Sequence, residues 1–280
     1  MNSDQRVYVV TGADSGLGRA TALRLAEEGS VITCGLGDDI DVRADLGSAE
    51  GRRAFVERVS TLSGGRLDGV VACAGSGAAR ETTVSLNFFG AVATLEGLRD
   101  LLAASDAPAA VAVSSSSTLN RGSTALVHAC MSGDEDKARS AARFLTRTRR
   151  GSQIYRSSKI ALNQWVREAA VSPRWTHSGI VLNAVAPGII ATDVVLDTWD
   201  RDRAVLETAL PQPLGAPGPV DSVAELLAGT VSAGNRFMTG QVIYADGGTD
   251  ALMRGSRPQR VFLRYRSRDV IAMWRASRQP

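Results

Sequence analysis

A short apolar, β-rich run, Arg6-Val7-Tyr8-Val9-Val10, enters Thr11-Gly12-Ala13-Asp14-Ser15-Gly16-Leu17-Gly18, and a helical pattern (Ala20, Leu23, Leu25, Ala26) follows at once and stops at Glu28-Gly29. Strand, glycine-rich turn and helix in direct succession form a phosphate-cradling unit. Glycines let the backbone approach a pyrophosphate, and the helix N-terminus supplies unpaired N–H donors and a positive dipole end. The spacing is G-x-x-x-G-x-G rather than the G-x-G-x-x-G of the larger dinucleotide-binding group. In this context Gly12, Ser15, Gly16, Leu17 and Gly18 are expected to line a cofactor, although a glycine turn by itself also makes a mere tight corner.

The rest of the chain keeps the alternation. Strands are expected at residues 30–35, 67–73, 109–113, 179–186 and 241–245, and helices at 48–62, 85–102, 153 onward, 200–210 and 220–232. Strands separated by helices bury both faces of a parallel sheet, so the fold class is α/β, a Rossmann-type doubly wound parallel sheet in one domain over residues 1–253. Several strands end in small residues, Ala74-Gly75-Ser76-Gly77 and Ser114-Ser115-Ser116-Ser117 among them, which leaves room for a ligand at the carboxyl edge. Residues 118–152 break the rhythm: about thirty-five residues stand where a dozen loop residues would do, and they read as a helical insertion, a lid or an interface element. Ser132-Gly133-Asp134-Glu135 reads as a capping box opening an Ala/Arg-rich helix to Arg150. The polar helix 200–210 and the Pro/Gly-rich residues 211–219 read together as a flap.

Within the helix after the insertion, Tyr155 and Lys159 are four apart and share a face. A free tyrosine, with a pKa near ~10, is a poor proton carrier at neutral pH, and an ammonium beside it favours the phenolate, so the pair makes a general acid–base unit. With four Tyr and two Lys in the chain, one such spacing arises by chance in roughly 3 per cent of cases. A chain that otherwise uses Arg places a compact ammonium here, which favours the chemical reading over an ordinary surface pair.

At the end of the second strand, where an acid grips the adenosine ribose or an Arg a 2′-phosphate, stands Leu36, followed by Gly37-Asp38-Asp39, with no basic residue before Arg43. A 2′-phosphate is poorly received there. NAD(H) is favoured, and NADP(H) stays open.

Composition removes other classes. An apolar content of 44% over 280 residues builds a sizeable core. The N-terminus lacks the pattern of a signal peptide, and no run approaches ~18 apolar residues, so a cytoplasmic protein without a transmembrane helix is expected. Cys34, Cys73 and Cys130, odd in number and widely spaced, read as reduced core thiols; no metal site is expected, and His128 and His177, isolated in sequence, read as structural. The net charge of +3 is concentrated in a basic C-terminal extension: residues 254–280 carry eight Arg and one Asp, +7 together, which leaves −4 on residues 1–253. A nucleic-acid-binding body is not indicated. The extension reads as an amphipathic segment for a partner subunit or an anionic membrane surface, or as a solvated tail.

Thr11-Gly12-x-x-x-Gly16-x-Gly18, Ala74-Gly75, Asn87, Ser115, Tyr155-x-x-x-Lys159 and Pro187-Gly188-x-x-x-Thr192 occur in an order that resembles the short-chain dehydrogenase/reductase family over about residues 6–253. The insertion and the ending Asp246-Gly247-Gly248 look more narrowly like bacterial 3α-hydroxysteroid dehydrogenase/carbonyl reductases and coniferyl-alcohol dehydrogenases. The resemblance implies hydride transfer between NAD(H) and a secondary alcohol or ketone, a steroid or other bulky cyclic substrate, by a homodimer or homotetramer. It implies Tyr155 as acid–base, Lys159 lowering its pKa and holding the nicotinamide ribose, Ser115 (or its neighbour Ser114) on the carbonyl oxygen, and Asn87 fixing its helix and a proton-relay water. It further implies Asp45 and Leu46 at the adenine, Gly75 at its ribose, Thr192 with Ile190 at the carboxamide, and Pro187 among the cofactor-binding residues. An aryl-allylic alcohol dehydrogenase and a non-catalytic NAD-binding regulator are the alternatives. The apolar set Ile189, Ile190, Val194, Val195, Leu196 and Trp199 suits either bulky substrate.

Overall fold

The computed structural model describes residues 5–256 together with Arg268 and Arg275. The reading of the extension beyond residue 256 therefore lies outside the described residues.

Seven parallel strands form one sheet in the order β3-β2-β1-β4-β5-β6-β7: β1 (Arg6–Thr11), β2 (Gly29–Gly35), β3 (Val42–Arg43), β4 (Gly69–Ala72), β5 (Ala109–Val113), β6 (Val181–Pro187) and β7 (Val242–Ala245). Chain order runs outward from β1 in both directions, so connections diverge above β1 and β4 and open a crevice at their carboxyl ends. Strands β4, β5 and β6 are buried along their whole length, which explains their apolar runs, broken only by Asn183 in β6, whose amide is hydrogen-bonded. Along β1 the side chains alternate between layers. Val7 and Val9 join the cluster under α2 (Ala49–Leu62) and α8 (Ser152–Ala169), and Tyr8 and Val10 the cluster under α1 (Gly16–Ala26) and α12 (Val220–Thr230). The two-residue strand β3 is too short for a period-two signal, and the sequence reading has no strand there.

The helix expected at 85–102 is segmented: α3 (Thr82–Val84), a π-helical stretch Ser85–Gly90, α4 (Ala91–Gly97), then α5 (Arg99–Leu102) after a break at Leu98. Asn87, a poor helix-interior residue, sits in the widened π turn, a distortion that favours functional positions.

The insertion holds two helices, α6 (Thr124–Met131) and α7 (Glu135–Arg147), where the sequence reading has one. The expected capping box is corrected as well: Asp134 caps α7 by accepting from Lys137 N (2.9 Å), whereas Ser132 closes α6 and donates to Ala129 O (2.9 Å). Gly133, at φ 74°, makes the reversal between them and so prevents Ser132 from belonging to α7. Neither helix is a loose excursion. Leu126, Ala129, Cys130, Ala138, Ala142 and Leu145 are buried in the main core, Ser157 Oγ of α8 accepts from Ser123 N (2.8 Å), and Arg52 of α2 makes two bonds to Glu135 (2.7 and 3.0 Å). The remaining helices are α9 (Pro173–Thr176), α10 (Asp193–Leu196), α11 (Trp199–Ala209) and α13 (Thr249–Arg254). Among the described residues no helix is long and apolar enough to cross a membrane.

Burial pushes the thiols of Cys34, Cys73 and Cys130 up to about 12 from an ordinary 9.0. Folded thiols keep their protons where unfolded ones lose them, so this contribution is complete below pH 9 and is lost progressively between 9 and about 12, at up to about 1.4 kcal/mol per pH unit for each thiol. The urea midpoint should fall from pH 9 to 10.5, and the Cys34→Ala/Cys130→Ala double variant should show a clearly shallower fall. Equal slopes would contradict the burial of the two thiols.

Candidate active site

At the carboxyl edge of the sheet, over the β1/β4 divergence, lies a cleft of about 590 Å³. The glycine turn forms one wall. Gly12 and Gly16 have positive φ (68° and 49°), and a Cβ on Gly18 would lie 2.0 Å from Gly12 O, so only glycine lets α1 start this close to the strand. Thr11 Oγ1 accepts from Cys73 N and Ala74 N (3.0 Å each), which ties the turn to the end of β4. Ser15 is the N-cap of α1 and its side chain makes no capping bond, so the first-turn amides of an eleven-residue helix face the cleft without a side-chain partner.

Across the cleft, α8 presents Tyr155 and Lys159. Ser115 lies close enough to the Tyr155 hydroxyl to oppose the rise of its pKa. Ser115 caps the 3₁₀ turn Ser116–Leu119 after β5, its Oγ accepting from Ser117 N (3.1 Å). Its neighbour Ser114 is buried with an unpartnered Oγ, so Ser115 is the serine that meets the tyrosine. Lys159 is buried, 3% exposed, its Nζ donating to Val113 O (2.6 Å) and lying 6.0 Å from the Tyr155 ring centroid. Asn87, fully buried, spans the loop after β4: Oδ1 accepts from Ser76 N (2.8 Å) and Nδ2 donates to Ser76 O (2.9 Å) and to Ser158 Oγ of α8 (3.3 Å). A Cβ on Gly75 would come within 3.2 Å of Asn87 Oδ1 and 3.5 Å of Lys159 Nζ, so the glycine keeps the floor open.

Burial pushes the Tyr155 hydroxyl above its ordinary 10.0, the Ser115 bond opposing, and Lys159 exerts no resolved pull on it. Lys159 itself is brought down to about 8 from 10.5, by burial first. The ammonium donates to Val113 O, and desolvation is the largest influence on both groups. The arrangement holds a protonated phenol, able to donate, near an ammonium that titrates at about 8.

Every residue expected at the site lines this one cleft except Asn87, which acts from behind through the Ser76 backbone: Gly12, Ser15 to Gly18, Asp45, Leu46, Gly75, Ser115, Tyr155, Lys159, Pro187, Ile190 and Thr192. Val194 and Val195 of α10 and Leu206 of α11 join Ile189 and Ile190 as an apolar wall, whereas Leu196 and Trp199 stay outside it. Two residues were not anticipated. Gln212 clamps the Pro187-Gly188-Ile189 turn: its Oε1 accepts from Ile189 N and its Nε2 donates to Ile189 O (3.3 Å) and Gly215 O (3.1 Å). Asp14 reaches from the glycine turn to the end of β2, and a lone acid between the glycines carries no sequence signal for that.

The close glycine backbones, the open α1 N-terminus and the Gly75 floor fit an elongated phosphate-bearing dinucleotide; no donor set for a metal lies beside them among the described residues.

A family model described as enoyl-(acyl carrier protein) reductase matches residues 12–250. The 3α-hydroxysteroid dehydrogenase/carbonyl reductase of Comamonas testosteroni is 32% identical over 254 residues, covering 89% of this chain and 98% of the relative. The cis-4-hydroxycyclohexanecarboxylate dehydrogenase of Sinomonas cyclohexanicum is 30% identical, with 89% and 98% covered. Among solved structures, the 3α-hydroxysteroid dehydrogenase of Pseudomonas sp. B-0831 in complex with NADH superposes with a TM-score of 0.82 at 35% identity, over 90% of this chain and 99% of that one.

Proposed function

The chain belongs to the short-chain dehydrogenase/reductase family, an oxidoreductase acting on CH–OH or carbonyl groups with a nicotinamide cofactor, and from that premise we propose that it uses NAD(H) on a bulky cyclic secondary alcohol or ketone of the hydroxysteroid kind. The observation that carries the reading is the meeting, in one cleft, of the Ser115–Tyr155 hydroxyl pair with an apolar wall from Ile189, Ile190, Val194, Val195 and Leu206. Such a wall buries a rigid hydrocarbon skeleton and holds one oxygen against the hydroxyls. The hydroxysteroid and hydroxycyclohexane activities of the relatives agree with a ring-borne secondary alcohol.

A bound nicotinamide supplies or accepts the hydride. The chain's residues handle the oxygen. Tyr155 Oη gives its proton to the carbonyl oxygen in reduction and takes it back in oxidation, while Ser115 Oγ–H donates to the same oxygen as charge develops there, assistance worth about 3 kcal/mol per donor. Lys159, held by Val113 O, keeps a positive charge beneath the site, and Asn87 fixes the Ser76 loop that closes its floor. Gly12 to Gly18 would hold the pyrophosphate, and Asp45, Leu46, Gly75, Pro187, Ile190 and Thr192 the two nucleosides.

A panel of hydroxysteroids, alicyclic alcohols and aryl-allylic alcohols, followed at the NADH absorbance band, tests this. The largest kcat/KM is expected on a polycyclic or alicyclic secondary alcohol with NAD⁺. A best substrate among the primary aryl-allylic alcohols would replace the substrate class.

A further inference from the structure

The sequence leaves an apolar residue, Leu36, where a carboxylate grips the adenosine ribose, and the structure places a carboxylate at the same spot from another element. Asp14 Oδ2 accepts from Leu36 N (2.8 Å) and Gly37 N (3.0 Å) at the end of β2. A Cβ built on Gly35 would lie 2.6–2.8 Å from the three carboxyl atoms of Asp14, so this side chain fills the volume a β2 side chain would occupy. Both amide bonds go to one oxygen, and among the described residues Oδ1 makes no hydrogen bond. Asp14, Gly35 and Leu36 all line the cleft, together with Asp45 across from them. Arg43, the first basic residue after β2, is paired with Asp38 (2.9 Å) rather than turned to this corner.

We infer that Asp14 is the specificity-determining residue for the adenosine ribose: its Oδ1 accepts from the ribose hydroxyls of NAD(H), and its charge repels the 2′-phosphate of NADP(H). In a dinucleotide-binding sheet the adenosine ribose lies beyond the end of the strand that follows the glycine turn, where this carboxylate is. The bonds to Leu36 N and Gly37 N hold it in place, so the acid is pre-positioned although it sits on a glycine turn. Gly35 and Gly37 then have a reason of their own: a side chain at 35 would displace the carboxylate, and one at 37 would crowd Asp14 Cβ at 3.3 Å. The inference rests on the reading of the cleft as a nicotinamide dinucleotide site.

Asp14→Asn is the discriminating change, because the amide oxygen still accepts from both backbone amides while the charge is gone. Equilibrium titrations of NADH and NADPH, read by nucleotide fluorescence without substrate, should show wild-type protein preferring NADH, and the Asn variant should shrink the ratio of the two Kd values at least tenfold. Asp14→Ala should lose the preference too, and Leu36→Asp in that background should restore it. A wild-type protein without preference for NADH, or an unchanged ratio in Asp14→Asn, would overturn the assignment and leave Asp14 a prop for the loop. Binding of neither nucleotide by wild type would instead bring down the cofactor reading beneath it.

Discussion

Tyr155→Phe is expected to lower turnover at least about a thousandfold while NADH binds within about threefold of the wild-type affinity. The change deletes one oxygen. General acid–base catalysis by a positioned side chain is worth about 10²–10⁴ in rate, and a lost donor to the developing oxyanion about 10²–10³, the two overlapping because one hydroxyl does both. Burial holds the Tyr155 hydroxyl above its ordinary 10.0, so at neutral pH the wild-type residue is a proton donor without any titration; phenylalanine keeps the ring and its packing but has no proton to give. The hydroxyl's partner is Ser115, and the fold leans on no bond to it, so loss of activity should come with an unchanged melting temperature. Ser115→Ala should show the smaller, oxyanion-only loss. Stopped-flow NADH absorbance and a fluorescence titration separate rate from binding, and near-normal turnover in Tyr155→Phe would refute the assignment.

The fold was readable because its signals are local and redundant. The runs in β1, β4, β5 and β6 are buried on both faces and therefore mostly apolar, and small residues follow at the edge the crevice needs. Three features escaped for physical reasons. Strand β3 is two residues held by pairing with Cys34 and Gly35, and helix α6 is only eight residues, with Leu126, Ala129 and Cys130 buried, so each is too short for a period to stand out. The shift of the cap from Ser132 to Asp134 turns on the φ of Gly133, which a four-residue pattern does not encode.

The site was legible in residue identity more than in electrostatics. Spacing puts Tyr155 and Lys159 on one face, but whether the ammonium reaches the phenol depends on the competing acceptor Val113 O, a residue 46 positions away. Asp14 shows the same limit from the other side. The chemistry expected of position 36 is supplied by a residue 22 positions earlier, because two glycines leave the end of β2 vacant for it.

Lys159 carries the second large effect, and its sign differs between activity and stability. Burial lowers its pKa to about 8, so the ammonium is present below that pH and lost above it. If the charge supports proton donation by Tyr155, kcat/KM for ketone reduction should hold from pH 6 to 7.5 and decline above about 8. Lys159→Met should lower it about a hundredfold or more with no inflection near 8, and Lys159→Arg, whose guanidinium keeps its proton, should be slower than wild type but equally flat there. Stability runs the other way. The unfolded lysine titrates near 10.5 and the folded one near 8, so between those values the unfolded chain holds more protons and this group's contribution rises with pH; below 8 the fold bears the full penalty of a buried charge. Lys159→Met removes that penalty at pH 7, worth about 3 kcal/mol at most, and loses a hydrogen bond to Val113 O worth about 1 kcal/mol, so it should unfold at higher urea than wild type. A variant nearly inactive yet more stable would mark the lysine as a charge held for chemistry against the interest of the fold. A destabilised variant with wild-type pH dependence would sink both halves of the argument, since the charge would then serve packing and not the proton.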